Sequence, residues 1–139
     1  MSEVVSVRLQ DQVAQRLRER AADDDEAVSG LVQRLVDEGL RMEAHPGIVF
    51  RPGPSGRRAA LMRGPDVWEV IGLLRSLDTS GEAAIAEAAQ WVGLTEAQVR
   101  AALGYYGAFP DEIDTRIAAN QAAAEQAHGE WEIQQRLLS

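Results

Sequence analysis

The chain has 139 residues, of which 45% are hydrophobic, enough for one ordinary core or two very small ones. Its 14 basic residues are all arginines, and 22 acidic residues give a formal net charge of −8. The absence of cysteine excludes disulfides and zinc-thiolate sites, and no apolar run is long enough to span a membrane. Because residues 1–10 also lack the pattern of a secretion signal, we expect a cytoplasmic protein without membrane contact.

Charge is distributed unevenly along the chain. Residues 77–139 contain three arginines and ten acidic residues, a net charge of −7, whereas residues 1–76 contain eleven arginines and twelve acidic residues, a net charge of −1. This asymmetry indicates either two partners of different charge or two solvated surfaces, and charge alone does not decide between them.

Residues 4–9 alternate in the manner of a short β-strand. Val5, Val7 and Leu9 would share one face, and Val4, Ser6 and Arg8 would share the other. A single strand leaves its backbone donors and acceptors unpaired, and no second strand is predicted nearby. The simplest partner is a second copy of the chain, which would form an antiparallel ribbon across a two-fold axis.

Two amphipathic helices are predicted after this strand. The first is expected at residues 11–22, with Asp11 as its cap, and the second at residues 27–42. Between them lie four consecutive acids, Asp23-Asp24-Asp25-Glu26. The apolar stripe of the second helix is continuous and consists of Val28, Leu31, Val32, Leu35, Val36 and Leu40.

This order of one strand and two helices resembles the ribbon-helix-helix family of dimeric DNA-binding proteins. The residues that carry the resemblance are Val5-Ser6-Val7-Arg8-Leu9, Val13, Leu17 and residues 29–35. The resemblance implies that Val4, Ser6 and Arg8 enter the major groove, where the Arg8 guanidinium suits a bidentate contact to guanine. It also implies that a DNA phosphate is held by the turn before the second helix and by the first residues of that helix, among them Ser29.

The four acids differ from the usual turn of that family and would repel a phosphate. Either they point away from the DNA, or the segment dimerises and binds DNA weakly. A dimerisation ribbon without DNA binding is the alternative, and we favour DNA binding over it.

A region rich in Pro and Gly at residues 46–65 predicts a domain boundary and turns. Within it, residues 48–51 and 57–62 are predicted to form a wing-like hairpin, and Pro65 to begin a helix. Helices are then predicted at residues 82–91 and 96–106, with capping boxes formed by Thr79 with Glu82 and by Thr95 with Gln98.

The last two of these helices match a helix-turn-helix at three points, namely Ala89 as a small packing residue, Gly93 in the turn and Val99 in the core. The exposed face, with Glu96, Gln98 and Arg100, is nearly neutral. We therefore favour a helix-turn-helix that packs against or docks protein over one that reads DNA bases.

Residues 56–71 and 94–106 resemble a bacterial family of small winged-helix-like domains, catalogued as domain of unknown function 433 and found in antitoxins. Arg63-Gly64-Pro65-Asp66-Val67-Trp68 matches the usual turn of that family only approximately. Together with the ribbon-helix-helix segment, the chain resembles VapB-type antitoxins. That resemblance implies a PIN-like ribonuclease toxin as partner.

The C-terminal segment, residues 110–139, is predicted to be a long helix, with Gly129 as a candidate hinge before its last segment. Its far end is expected either to fold back on its own domain or on the other protomer, or to enter an apolar groove on a second protein, and we favour the second protein. The expected toxin-binding residues are Ile113, Ile117, Trp131, Leu137 and Leu138, with Arg136 placed among the acidic metal ligands of the nuclease.

The predicted fold is mainly α, with a ribbon-helix-helix domain at residues 1–43, a hairpin and helix-turn-helix domain at 44–109 and a C-terminal helix at 110–139. No catalytic or metal-binding spacing is present, and His45 and His128 are isolated, so neither enzymatic activity nor a cofactor is expected. The leading hypothesis is a homodimeric antitoxin that represses its own operon. The alternative is a stand-alone transcriptional regulator.

Overall fold

The computed structural model describes all residues from Met1 to Ser139. The chain divides into two compact units, Met1–Glu43 and Ala44–Ser139. It is mainly helical, with one small antiparallel sheet and a long C-terminal helix, as the sequence predicted. The elements are α1 (Asp11–Asp23), α2 (Val28–Ala44), β1 (Ile48–Arg51), β2 (Arg58–Leu61), α3 (Val67–Ser76), α4 (Gly81–Val92), α5 (Glu96–Ala108) and α6 (Pro110–Leu138).

The first unit contains two helices and no strand. Residues 4–9 have no regular secondary structure, so the predicted strand is not formed within the single chain. The prediction that Asp11 caps α1 is wrong, because Asp11 is the first helical residue and Gln10 precedes it without a capping side-chain bond. Asp25 adopts the left-handed conformation (φ 50°) in the turn before α2.

The predicted hairpin is present in the second unit. Strands β1 and β2 pair antiparallel, from Ile48 opposite Leu61 to Arg51 opposite Arg58. The Arg51 guanidinium donates hydrogen bonds to the carbonyls of Gly64 (2.9 Å) and Leu61 (2.7 Å), which ties the first strand to the turn after the second.

Helix α3 follows that turn and begins at Val67, not at Pro65 as predicted. Its cap is Asp66, and Glu69 completes a capping box. The Asp66 carboxylate also accepts a hydrogen bond from the Trp68 indole (3.1 Å) and pairs with Arg58. These contacts fix the start of α3 against the hairpin.

Helices α4 and α5 form the predicted helix–turn–helix arrangement. Gly93 is left-handed (φ 65°), and the next amide, of Leu94, donates to the Ala89 carbonyl at 2.9 Å. The predicted Thr95–Gln98 capping box is present. The predicted Thr79–Glu82 box is wrong, because Ser80 is the N-cap residue of α4 and carries no capping side-chain bond.

Helix α6 is continuous over 29 residues and passes through Gly129 without a break. Its first two turns belong to the core of the second unit, where Ile113 and Ile117 are buried. They pack in the cluster that surrounds Tyr105, whose hydroxyl donates to Glu112. Residues 44–109 and the start of the segment 110–139 therefore share one core. No helix combines the length and the apolar character that crossing a bilayer would need.

Candidate interaction surfaces

The N-terminal segment, residues 4–9, exposes its apolar side chains. Val4 is 93% exposed, Val5 78%, and Val7 72%. The only sheet in the chain is the β1–β2 hairpin of the other unit, so no strand of the same chain pairs with this segment. The predicted DNA-reading residues Ser6 and Arg8 are likewise exposed. Both the predicted inward and outward faces are thus uncovered in the single chain.

Helix α2 presents a second uncovered apolar surface in the same unit. Leu31 is completely buried, but Leu35 is 47% and Leu40 64% exposed. A shallow cavity of about 210 Å³ separates this helix from α1 and is lined by Val13, Arg16, Leu17, Arg20 and Leu35. The apolar stripe that the sequence predicted is therefore only partly covered within one chain.

The acidic run between α1 and α2 is partly neutralised by arginines of the same unit. Arg34 pairs with Glu26 at 3.2 Å and lies 3.7 Å from Asp24, while Arg20 also pairs with Asp24 at 3.0 Å. Ser29 is exposed in the first turn of α2. The Glu26 carboxylate lies near that turn, 3.8 Å from an ideal Cβ position on Gly30. Asp24 and Glu26, two of the four acids before that turn, are thus already paired with arginines.

The outward side of the helix–turn–helix is nearly neutral through an ion pair. The Arg100 guanidinium donates to the Glu82 carboxylate and so joins α5 to α4. That hydrogen bond, together with the charge of Arg100, lowers the pKa of Glu82. An arginine held in this way is less available to a DNA phosphate. Trp91 on α4 is 70% exposed, and sequence reasoning did not single it out.

The predicted toxin-binding residues separate into two groups. Ile113 and Ile117 are buried in the core of their own unit, so the prediction that they contact a toxin is wrong. Trp131, Arg136, Leu137 and Leu138 are exposed on the outer part of α6. The Trp131 ring stacks on His128 with centroids 5.9 Å apart. Ile133, which the sequence analysis missed, is also exposed.

A groove between the β-hairpin and α6 has no counterpart in the sequence predictions. It encloses about 340 Å³ and has apolar walls that include Phe50, Trp68 and Ala119. Arg57, Arg58 and Arg116 also line it, against one acid, Glu112. The Arg116 guanidinium donates to the Ser55 hydroxyl at 2.5 Å, and this bond joins α6 to the hairpin turn. Because Arg58 pairs with Asp66, the remaining charge is that of Arg57 and Arg116 against Glu112, which is still positive on a unit that is acidic as a whole.

No group of three or more acidic or histidine side chains is arranged to hold a metal ion. Comparison with known proteins gave no match to a protein-family model, to a curated protein or to a solved structure.

Proposed function

We propose that the chain is the antitoxin of a toxin–antitoxin pair, which neutralises a PIN-like ribonuclease by direct binding and represses its own operon as a DNA-binding homodimer. The observation that supports this proposal is that each unit exposes a separate set of apolar side chains. One set lies at residues 4–9 and on α2, and the other on the outer part of α6. Exposed apolar clusters of this kind are typical of protein interaction surfaces. A ribonuclease and operator DNA as partners would place the protein in the cytoplasm.

The first set of exposed residues fits pairing with a second copy. Two N-terminal segments would satisfy each other's backbone groups as an antiparallel ribbon, with Val5, Val7 and Leu9 turned inward onto the apolar faces of α2. Ser6 and Arg8 would then point outward beside Val4. This arrangement is the ribbon-helix-helix fold, with the outward face placed for the major groove.

Phosphate anchoring at α2 is compatible with the acidic turn. Because Arg34 already pairs with Glu26, the helix N-terminus carries less unpaired negative charge than the sequence indicates. Ser29 and the first amides of α2 would hold the phosphate. The neutral face of α5 supports a role for the second unit in protein contact and in positioning α6.

The outer part of α6 is the proposed ribonuclease-binding segment, with Trp131 and Leu138 as apolar anchors. Arg136 is the only cation among the last twenty residues, and its guanidinium suits the carboxylates that hold the metal of such a nuclease. The acidic charge of residues 77–139 complements an RNA-binding, basic partner.

The DNA-binding part of the proposal is tested with Arg8→Ala and a duplex that covers the region upstream of the chain's own gene. Loss of a bidentate guanine contact should reduce discrimination between this duplex and a scrambled one by roughly 5- to 150-fold. Arg18→Ala, at an exposed position on α1, is the matched control and should retain selectivity. Unchanged selectivity in Arg8→Ala would refute readout by the strand.

A further inference from the structure

The face of α6 that borders the arginine-lined groove continues outward with the spacing of a packed helix. Arg116, Ala119 and Ala123 line the groove region. Gln126, Glu130, Ile133 and Leu137 follow at alternating intervals of three and four residues, so all seven side chains share one side of the helix. Ile133 is 63% and Leu137 86% exposed.

The outer part of α6 and the groove are complementary in charge and in polarity. Residues 118–139 contain three glutamates and one arginine, a net charge of −2, and Glu130 lies on the shared face. The groove has Arg57 and Arg116 against Glu112, besides the Arg58–Asp66 ion pair, with Phe50 and Trp68 in its apolar wall. A helix with glutamate, isoleucine and leucine on one side therefore matches the groove in both respects.

The chain's own outer helix cannot reach its own groove, because α6 is unbroken and runs away from it. We propose that the groove between the β-hairpin and α6 receives the Ile133–Leu137 side of α6 from a second copy of the chain. The two helices would run antiparallel, each covering the other's groove, and the alanines at 119 and 123 would permit close approach. Trp131 lies on a different side of α6 from Ile133 and is left free for the ribonuclease.

This contact assigns Leu137 to the second copy and does not depend on the N-terminal ribbon. Val7→Pro removes a backbone donor from that ribbon and lies outside regular structure, so it disables the ribbon without disturbing either unit. Full-length Val7→Pro protein should still self-associate in sedimentation equilibrium. A monomer at all concentrations would overturn the inference.

In the Val7→Pro background, Ile133→Asp with Leu137→Asp should raise the dissociation constant by more than about tenfold, because two apolar anchors become charged. The matched control, Gln121→Asp with Gln135→Asp, adds the same charge on the side of α6 opposite Ile133 and should associate as before. Equal weakening by both pairs, or by neither, would contradict the assigned face.

Cross-linking locates the contact, since the natural chain has no cysteine. A mixture of Ala119→Cys and Ile133→Cys chains should form a mixed dimer with a short bis-maleimide. Replacing Ala119→Cys by Gln121→Cys should abolish it. Absence of the mixed dimer, or an equal yield with Gln121→Cys, would show that the groove takes another occupant, such as a segment of the ribonuclease.

Discussion

Two glycines on the α4–α5 pair perform different tasks. Gly93 ends α4 in the left-handed conformation (φ 65°), which costs an L-residue free energy, whereas Gly104 lies inside α5 with open space around its Cβ position. We expect Gly93→Ala to lower the free energy of unfolding by about 1 kcal/mol. Gly104→Ala should raise it by about 0.5–1 kcal/mol. Urea unfolding followed by circular dichroism measures both, and equal effects would contradict the assigned turn.

Single residues show which local features could be predicted from the sequence. The Thr95–Gln98 box was predictable because the capping residue stands three positions before its partner and a buried helix face follows. The predicted Thr79–Glu82 box is absent because Ser80, an equally suitable cap, lies one position nearer the helix. The Thr79 hydroxyl donates to Glu87 instead. Helix ends with two adjacent capping residues are thus ambiguous from sequence alone.

At the scale of elements, α6 could be predicted as a helix but not divided into its two parts. Ile113, Ile117 and Trp131 follow one periodic stripe, and nothing in the period says where the chain's own core stops covering it. The groove beside α6 was also beyond sequence reasoning, because Arg57 and Arg116 are far apart in the chain and meet only through tertiary packing.

The outer part of α6 gives a test of ribonuclease binding. Trp131→Ala should weaken binding of the product of the adjacent reading frame by at least about tenfold, because a large aromatic anchor is lost. Trp91→Ala removes an exposed tryptophan from α4 and is the matched control. Isothermal titration calorimetry measures both. If Trp131→Ala binds like the unaltered chain, α6 does not carry the contact.

At the scale of the whole molecule, each of the two units, Met1–Glu43 and Ala44–Ser139, has its own set of exposed apolar side chains. The helical class and the hairpin followed from local periodicity and turn residues. The proposed ribbon between copies lies outside what one chain contains, so the predicted strand at residues 4–9 would need a partner that supplies hydrogen bonds. The proposed function depends on this dimer more than on any other feature.

Amide hydrogen exchange of the associated protein tests that dependence most directly. Its measurement should follow all backbone amides of residues 4–9 over a range of protein concentrations, because an antiparallel ribbon pairs every second one. We expect one alternating set of these amides to become protected as copies associate and to exchange freely on dilution. Exchange at the rate of an unstructured chain, in protein that sedimentation shows to be associated, would contradict the ribbon.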